Sequence, residues 1–185
     1  MERRKLGRKG PIVSAEGLGC MGMSEFYGAR DDAQSLATMA RAVELGIDFF
    51  DTADMYGAGH NEELIGRFLK ESGAKVTIAT KFGIVREPGK YERRIDNTPA
   101  YIAHACEASL KRLGVGRIDL YYAHRDDQSL PQDEVAAGFD TLVKAGKVRE
   151  VGACNFDGAR LGSDNGAADA AGVARFSVLQ NEYNL

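Results

Sequence analysis

The stretch Phe49-Phe50-Asp51-Thr52-Ala53-Asp54-Met55-Tyr56-Gly57 decides how this chain is read. Ile47 to Phe50 is a short apolar strand that ends in the carboxylate of Asp51, and the phenol of Tyr56 follows in a loop bounded by Gly57. Two further groups stand at matching places downstream. Lys81 closes the strand Thr77-Ile78-Ala79-Thr80, and His124 follows the strand Asp119-Leu120-Tyr121-Tyr122-Ala123. Parallel strands in one sheet would present all four side chains on the same rim. Acid, phenol, ammonium and imidazole would then line one pocket.

The chain alternates strand and helix on either side of that stretch. Residues 3 to 15 form two extended pieces around Gly7-Arg8-Lys9-Gly10-Pro11, the pattern of a hairpin. Gly17-Leu18-Gly19-Cys20 reads as a first buried strand. Asp32 to Leu45 reads as a helix: Leu36, Met39, Ala40 and Val43 recur at helical spacing, an acidic pair opens it and Gly46 stops it. Strand 47–51 precedes a helix from about Asn61 to Lys70, with Leu64, Ile65, Phe68 and Leu69 inward. Strand 76–81 leads through a long charged loop to a helix capped by Thr98, opened by Pro99 and ended at Gly114. Strand 118–123, helix 132–145 and strand 148–153 follow, then an Ala/Gly-rich helix between Ala159 and Ala171, and strand 176–181.

Six strands alternating with five helices predict right-handed βαβ units around a parallel sheet. An open doubly wound sheet and a (β/α)8 barrel both satisfy that pattern. With 185 residues the sixth strand lies almost at the end, short of the eight units of a whole barrel.

Composition narrows the class. One domain over 1–185 is the simplest division of a chain this long. Hydrophobic residues at 44% and charged residues at 28% are ordinary for a soluble globular protein. The formal charge of -3 has no concentrated sign, which argues against a nucleic-acid or membrane-surface partner. No apolar run approaches the ~20 residues of a membrane span, and none follows the charged Met1-Glu2-Arg3-Arg4-Lys5 as a secretory signal would. Cys20, Cys106 and Cys154 are odd in number and far apart, so they read as reduced thiols of a cytoplasmic protein. No cysteine or histidine spacing suits zinc, and no metal is expected.

Gly17-Leu18-Gly19-Cys20-Met21-Gly22 fits the dinucleotide pattern G-x-G-x-x-G, with Asp51 ending the next strand as a ribose-binding acid would. That Rossmann reading requires a helix beginning at Gly22 and an acid ~20 residues on. Here no helical period starts until about Asp32. The four-group constellation makes better chemical sense. Hydride reduction of a carbonyl leaves an alkoxide that a general acid must protonate. Tyr56 can supply the proton, and an ammonium beside it, Lys81, would lower its pKa from about 10. Asp51 would keep Lys81 charged and pointed, and His124 would orient the carbonyl oxygen. Phe26, Tyr27, Met55 and Phe82 would form an apolar substrate wall. Each residue has a plainer reading: a turn cap at Asp51, a surface phenol, a solvated rim lysine, a histidine bonded to backbone, loop aromatics that only pack. Their joint occurrence on one rim is what favours chemistry.

The sequence resembles the aldo-keto reductase family in Gly17-Leu18-Gly19-Cys20-Met21-Gly22-Met23, Phe50-Asp51-Thr52-Ala53-Asp54-Met55-Tyr56-Gly57, Thr80-Lys81-Phe82-Gly83 and Asp119-Leu120-Tyr121-Tyr122-Ala123-His124. Gly146-Lys147-Val148-Arg149, Val151-Gly152-Ala153-Cys154-Asn155-Phe156 and Leu179-Gln180-Asn181-Glu182-Tyr183-Asn184-Leu185 continue it in family order. The resemblance implies a (β/α)8 TIM barrel, here truncated to about six βα units with an N-terminal β-hairpin, and Asp51, Tyr56, Lys81 and His124 as catalytic tetrad. It also implies NADPH (NADP) lying across the barrel mouth and an aldehyde or ketone as substrate. Asn155 and Gln180 would hold the nicotinamide carboxamide, while Gly19, Cys20, Met21 and Asp51 would line its ribose. Cys154 stands where many relatives have Ser, a weaker hydrogen-bond partner. The last two barrel units, which carry the aromatic that stacks on the nicotinamide and the basic residues for the adenosine 2′-phosphate, lie outside this sequence. Strand 176–181 would then be an unpaired edge able to recruit a partner or a second copy. Without those units the chain could instead be a non-catalytic partial barrel that serves as a binding or regulatory module.

Overall fold

The computed structural model describes residues 1–7, 10–86, 90 and 92–183. Its first element is an antiparallel hairpin of β1 (Arg3–Lys5) and β2 (Ile12–Ser14). Arg8 and Lys9 of the expected turn, like Asn184 and Leu185 of the last motif, lie outside the described residues. Then follow β3 (Leu18–Gly19), α1 (Asp32–Glu44), β4 (Phe49–Asp51), α2 (His60–Ser72) and β5 (Thr77–Phe82). A short antiparallel pair, β6 (Ile84–Arg86) and β7 (Arg93–Ile95), lies within the long charged loop expected between strand 76–81 and the helix at Thr98. The alternation resumes with α3 (Pro99–Leu113), β8 (Ile118–Ala123), α4 (Gln132–Lys144), β9 (Val148–Cys154), α5 (Gly158–Ala171) and β10 (Val178–Gln180).

Helix limits follow local chemistry. Asp31 accepts the Gln34 N–H, Thr98 accepts that of Tyr101 with Pro99 in the first turn, and Asp157 accepts that of Arg160. Gly73, Gly114 and Gly172 take the left-handed conformation that ends α2, α3 and α5. The inner face of α1 is Ser35, Met39 and Ala42, with Leu36 and Val43 half-buried. Ala40, expected inward, is exposed. Small residues bury on either side of a stripe at little cost, so the larger Leu36, Met39 and Val43 set the helix rotation.

The main sheet runs β3-β4-β5-β8-β9-β10, every neighbouring pair parallel. The order follows the chain without reversal, so the sheet lacks the switch point of a doubly wound fold. A three-residue 3-10 turn, Met21–Met23, follows β3, and the first α-helix begins only at Asp32. Both facts overturn the Rossmann reading. Gln180 Nε2 on β10 donates to Asp51 Oδ2 on β4 at 3.1 Å. Those strands are four places apart, roughly 19 Å in a flat sheet at the usual spacing. The sheet therefore curls into part of a barrel.

The helices cover its outer face around one core. Phe82 stacks on Tyr121 at 4.9 Å and meets Phe139 edge-on at 5.4 Å. Phe82 is thus core, not substrate wall: strand alternation turns it away from its neighbour Lys81. The strand expected to be buried at 17–20 is an edge, with Leu18 half-buried, Gly19 exposed and only Cys20 enclosed. The hairpin closes the opposite end of the sheet, where Ser14 and Arg3 both bind Asp48, just before β4. Helices α2 and α3 approach closely at Gly66, where an added Cβ would lie 2.5 Å from the Arg112 carbonyl oxygen.

Candidate active site

Three strand ends deliver the site. Asp51 ends β4, Lys81 is next to last on β5, and His124 follows β8. Parallel register sets Asp51 beside Ala79 and Lys81 beside Tyr122, which brings those ends to one rim. Tyr56 comes from the turn after β4. The Asp54 N–H donates to the Lys81 carbonyl at 3.0 Å and the Tyr56 N–H to that of Ala53 at 3.2 Å, folding this loop against β5. Gly57 and Ala58 adopt φ of 59° and 55° so that the chain can turn at once into α2.

Lys81 is 1% exposed and spends its donors locally. Nζ donates to Asp51 Oδ1 at 2.5 Å, to the Thr52 carbonyl at 2.8 Å and to Tyr56 Oη at 3.5 Å. Burial pulls Lys81 down, but the Asp51 carboxylate, the Tyr56 phenol and the direct bond to Asp51 outweigh it and hold the ammonium above its usual range. The Tyr56 and His124 rings meet edge-on at 5.9 Å, and both residues are buried. Burial, then Lys81, pushes the imidazole down to about 3, so His124 is neutral with a single N–H. Its Nδ1 is buried with no hydrogen-bond partner among the described residues.

Tyr56 departs from expectation. Burial raises the phenol, and the Lys81 ammonium opposes that rise without reversing it. The sequence reading weighed the neighbouring charge and not the desolvation.

The residues carried over for a nicotinamide gather beside this group. The Cys20 N–H donates to the Asp51 carbonyl at 2.9 Å, Met21 opens the following 3-10 turn, and Gly19 is exposed with no atom within 4 Å of the place a Cβ would take. Across the curl, Asn155 Nδ2 donates to the His124 carbonyl at 3.0 Å and to Cys154 Sγ at 3.1 Å. Cys154 Sγ lies 3.4 Å from Gln180 Oε1, and Asn155 is held at φ 59° while its N–H bonds the Gln180 carbonyl. Burial raises the Cys154 thiol to about 11 and the Cys20 thiol to about 12, so neither is a thiolate at neutral pH. A cavity of about 360 Å³ runs up the inside of the curled sheet from Leu6 and Val13 to Gly19, Asp51 and Gln180. Phe26 and Tyr27 are exposed on the loop after β3, and Met55 is buried against Tyr56.

Sequence reasoning passed over three neighbours. The Thr52 carbonyl and the Asn61 side chain are buried parts of the same hydrogen-bond system. Burial and the nearby Glu62 raise the Asp54 carboxyl to about 8. A polar residue at an apolar-periodic position, Asn61 in register with Leu64, Ile65 and Phe68, is the signal that would have found the second; a backbone carbonyl such as that of Thr52 leaves none.

The Aldo/keto reductase family model matches residues 17–185. An NADP(+) aldo-keto reductase of Schizosaccharomyces pombe is 39% identical over 183 residues, which are 98% of this chain and 52% of that protein. An aldo-keto reductase from Bacillus halodurans, solved in a holo form, superposes with a TM-score of 0.83 at 32% identity, over 99% of this chain and 58% of its own. The glycerol dehydrogenase of Gluconobacter oxydans gives 0.84 at 33% identity, over 98% and 55%. The chain thus spans about half the length of the curated relative it matches. On the match from Gly17 onward, the curled parallel sheet and these likenesses, the chain belongs to the aldo/keto reductase family.

Proposed function

We propose that this chain, as a single domain over 1–185, reduces aldehydes or ketones to alcohols with NADPH, using Tyr56 as the general acid. The observation that carries the reading is the Lys81 ammonium bound to both Asp51 and Tyr56 in a buried site. The phenol keeps its proton until an alkoxide forms beside it, and Lys81 favours the phenolate left behind. Asp51 holds Lys81 charged. The neutral His124 has one N–H with which to orient the carbonyl oxygen. Met55, Phe26 and Tyr27 would contact the rest of the substrate.

The residues fit a nicotinamide: Gly19 leaves the rim beside Asp51 open, and Asn155 and Gln180, bonded to the His124 carbonyl and to Asp51, bring two amide groups to that rim that would turn to a carboxamide. Cys20, Met21 and Cys154 complete that wall. Bound NADPH would supply the hydride, and the NADP(+) in the yeast relative's name supports this choice of cofactor. Three buried free thiols fit a cytoplasmic setting. No described helix is long and apolar enough to cross a membrane. Among the described residues β10 is bonded on one side only, and a further strand, from this or another chain, would add there.

Tyr56→Phe tests the reading. NADPH-dependent reduction of 4-nitrobenzaldehyde should fall by about 100-fold or more, while the NADPH dissociation constant stays within about twofold. Unchanged turnover would refute the role of Tyr56. Failure of the unmodified chain to bind NADPH in a fluorescence titration would favour the non-catalytic partial barrel, which its span of about half its relative keeps in play.

A further inference from the structure

Beneath the site lies a polar chain that the catalytic reading does not use. Asn61, in the first turn of α2, is fully buried, as are Thr52 and Cys20. Asn61 Nδ2 donates to the Cys20 carbonyl at 2.7 Å and to Ser24 Oγ at 2.7 Å, and Asn61 Oδ1 accepts the Thr52 hydroxyl at 2.6 Å. The amide orientation is forced: a carbonyl only accepts, so the NH2 group must face Cys20. Ser24 Oγ, which accepts from Asn61, also bonds His60 Nδ1 at 2.8 Å. His60 Nε2 in turn bonds Asp32 Oδ2 at 3.3 Å, at the start of α1.

The two ends of this chain are informative. Cys20 stands on the loop against Asp51, and the carbonyl of Thr52 holds Lys81 Nζ at 2.8 Å. One buried amide therefore sets the distance between the backbone of the glycine loop and the backbone that aims the ammonium. Each of its donors and its acceptor is used, so there is no second low-energy arrangement of the link.

We propose that Asn61 is a positioning residue: it clamps the Cys20 carbonyl and, through the Thr52 hydroxyl, the peptide that points Lys81 at Tyr56. This deepens the carbonyl-reductase reading and rests on it for its catalytic consequence. Its two arms make different predictions. The Thr52 arm acts on the proton-transfer group, so Thr52→Val, equal in shape but unable to bond Asn61, should lower kcat about tenfold with the KM for NADPH little changed. Thr52→Ser, which restores a hydroxyl, should recover most of that loss. The Cys20 arm acts on the cofactor wall, so Asn61→Ala should also weaken NADPH binding about tenfold.

The measurements are steady-state reduction of 4-nitrobenzaldehyde, NADPH fluorescence titration, and the NMR signal of Lys81 in chain labelled with [13Cε]lysine. The Lys81 signal should move in Thr52→Val and return toward its original position in Thr52→Ser. A Thr52→Val variant that melts earlier yet keeps its kcat and the Lys81 signal would reduce the network to packing and overturn the proposal. If the unmodified chain shows no turnover, the reductase reading fails by itself. The Lys81 signal then decides the positioning role: movement in Thr52→Val supports it and constancy refutes it.

Discussion

Asp51→Asn and Lys81→Met break one ion pair from its two ends, and the structure predicts unequal costs. The Lys81 side chain is 1% exposed and that of Asp51 is 16% exposed. Asp51→Asn leaves a buried ammonium without its countercharge: the amide oxygen can still accept from Nζ beside the Thr52 carbonyl and the Tyr56 hydroxyl, but the new NH2 group then faces Gln180 Nε2, a loss of about 3–5 kcal/mol. Lys81→Met replaces the stem with an apolar chain of similar volume. The carboxylate it strands retains contact with water and the Gln180 Nε2 bond at 3.1 Å, so about 1–2 kcal/mol is expected. Joining both substitutions removes both charges and should bring stability back to within about 1 kcal/mol of the original.

The stranded lysine adds a pH signature. Without Asp51, burial is left to lower the Lys81 pKa in the folded state below its unfolded value of about 10.4. Between that lowered value and about 10.4 the unfolded chain binds more protons than the folded chain, so stability rises with pH across that window. Urea titrations followed by far-UV circular dichroism at pH 7 and pH 9.5 measure both effects as shifts in midpoint at constant slope. Equal or greater loss in Lys81→Met, or an Asp51→Asn cost that is the same at both pH values, would refute the reasoning.

Two further outcomes are expected from the same structure. His124, held down to about 3 by burial and Lys81, binds fewer protons folded than unfolded; its contribution is complete above its ordinary 6.5 and is lost as pH falls from there toward 3. His124→Gln should flatten the acid limb of stability against pH by up to about 4 kcal/mol across that window, and an unchanged limb would place the acid sensitivity elsewhere. Gly66→Ala drives a methyl group to within 2.5 Å and 2.9 Å of the Arg112 and Leu113 carbonyl oxygens. The overpacking should cost about 1–3 kcal/mol despite the better helix propensity of Ala, read as a lower melting temperature; a gain in stability would mean that α2 and α3 are free to separate.

Much of the scaffold is written in short windows of sequence. Asp31, Thr98 and Asp157 cap their helices with their own side chains, and Gly73, Gly114 and Gly172 end them, because a cap needs only residues three or four apart. The same holds for Asp51, Lys81 and His124, each identified by its place at the end of an apolar run. The pair β6–β7 escaped notice because its residues, Ile84–Arg86 and Arg93–Ile95, carry little apolar alternation. Phe82 was legible and misread, since the period of two in a strand already opposes it to Lys81.

By itself, then, the sequence determined which elements form and which chemical groups end the strands, since both depend on neighbours along the chain. Only the tertiary structure decided that the sheet curls far enough for Gln180 to reach Asp51, that burial outweighs Lys81 at the Tyr56 phenol, and that Asn61 joins the two sides of the site. Curvature, desolvation and buried hydrogen bonds are sums over segments distant in the chain, and no local pattern carries them.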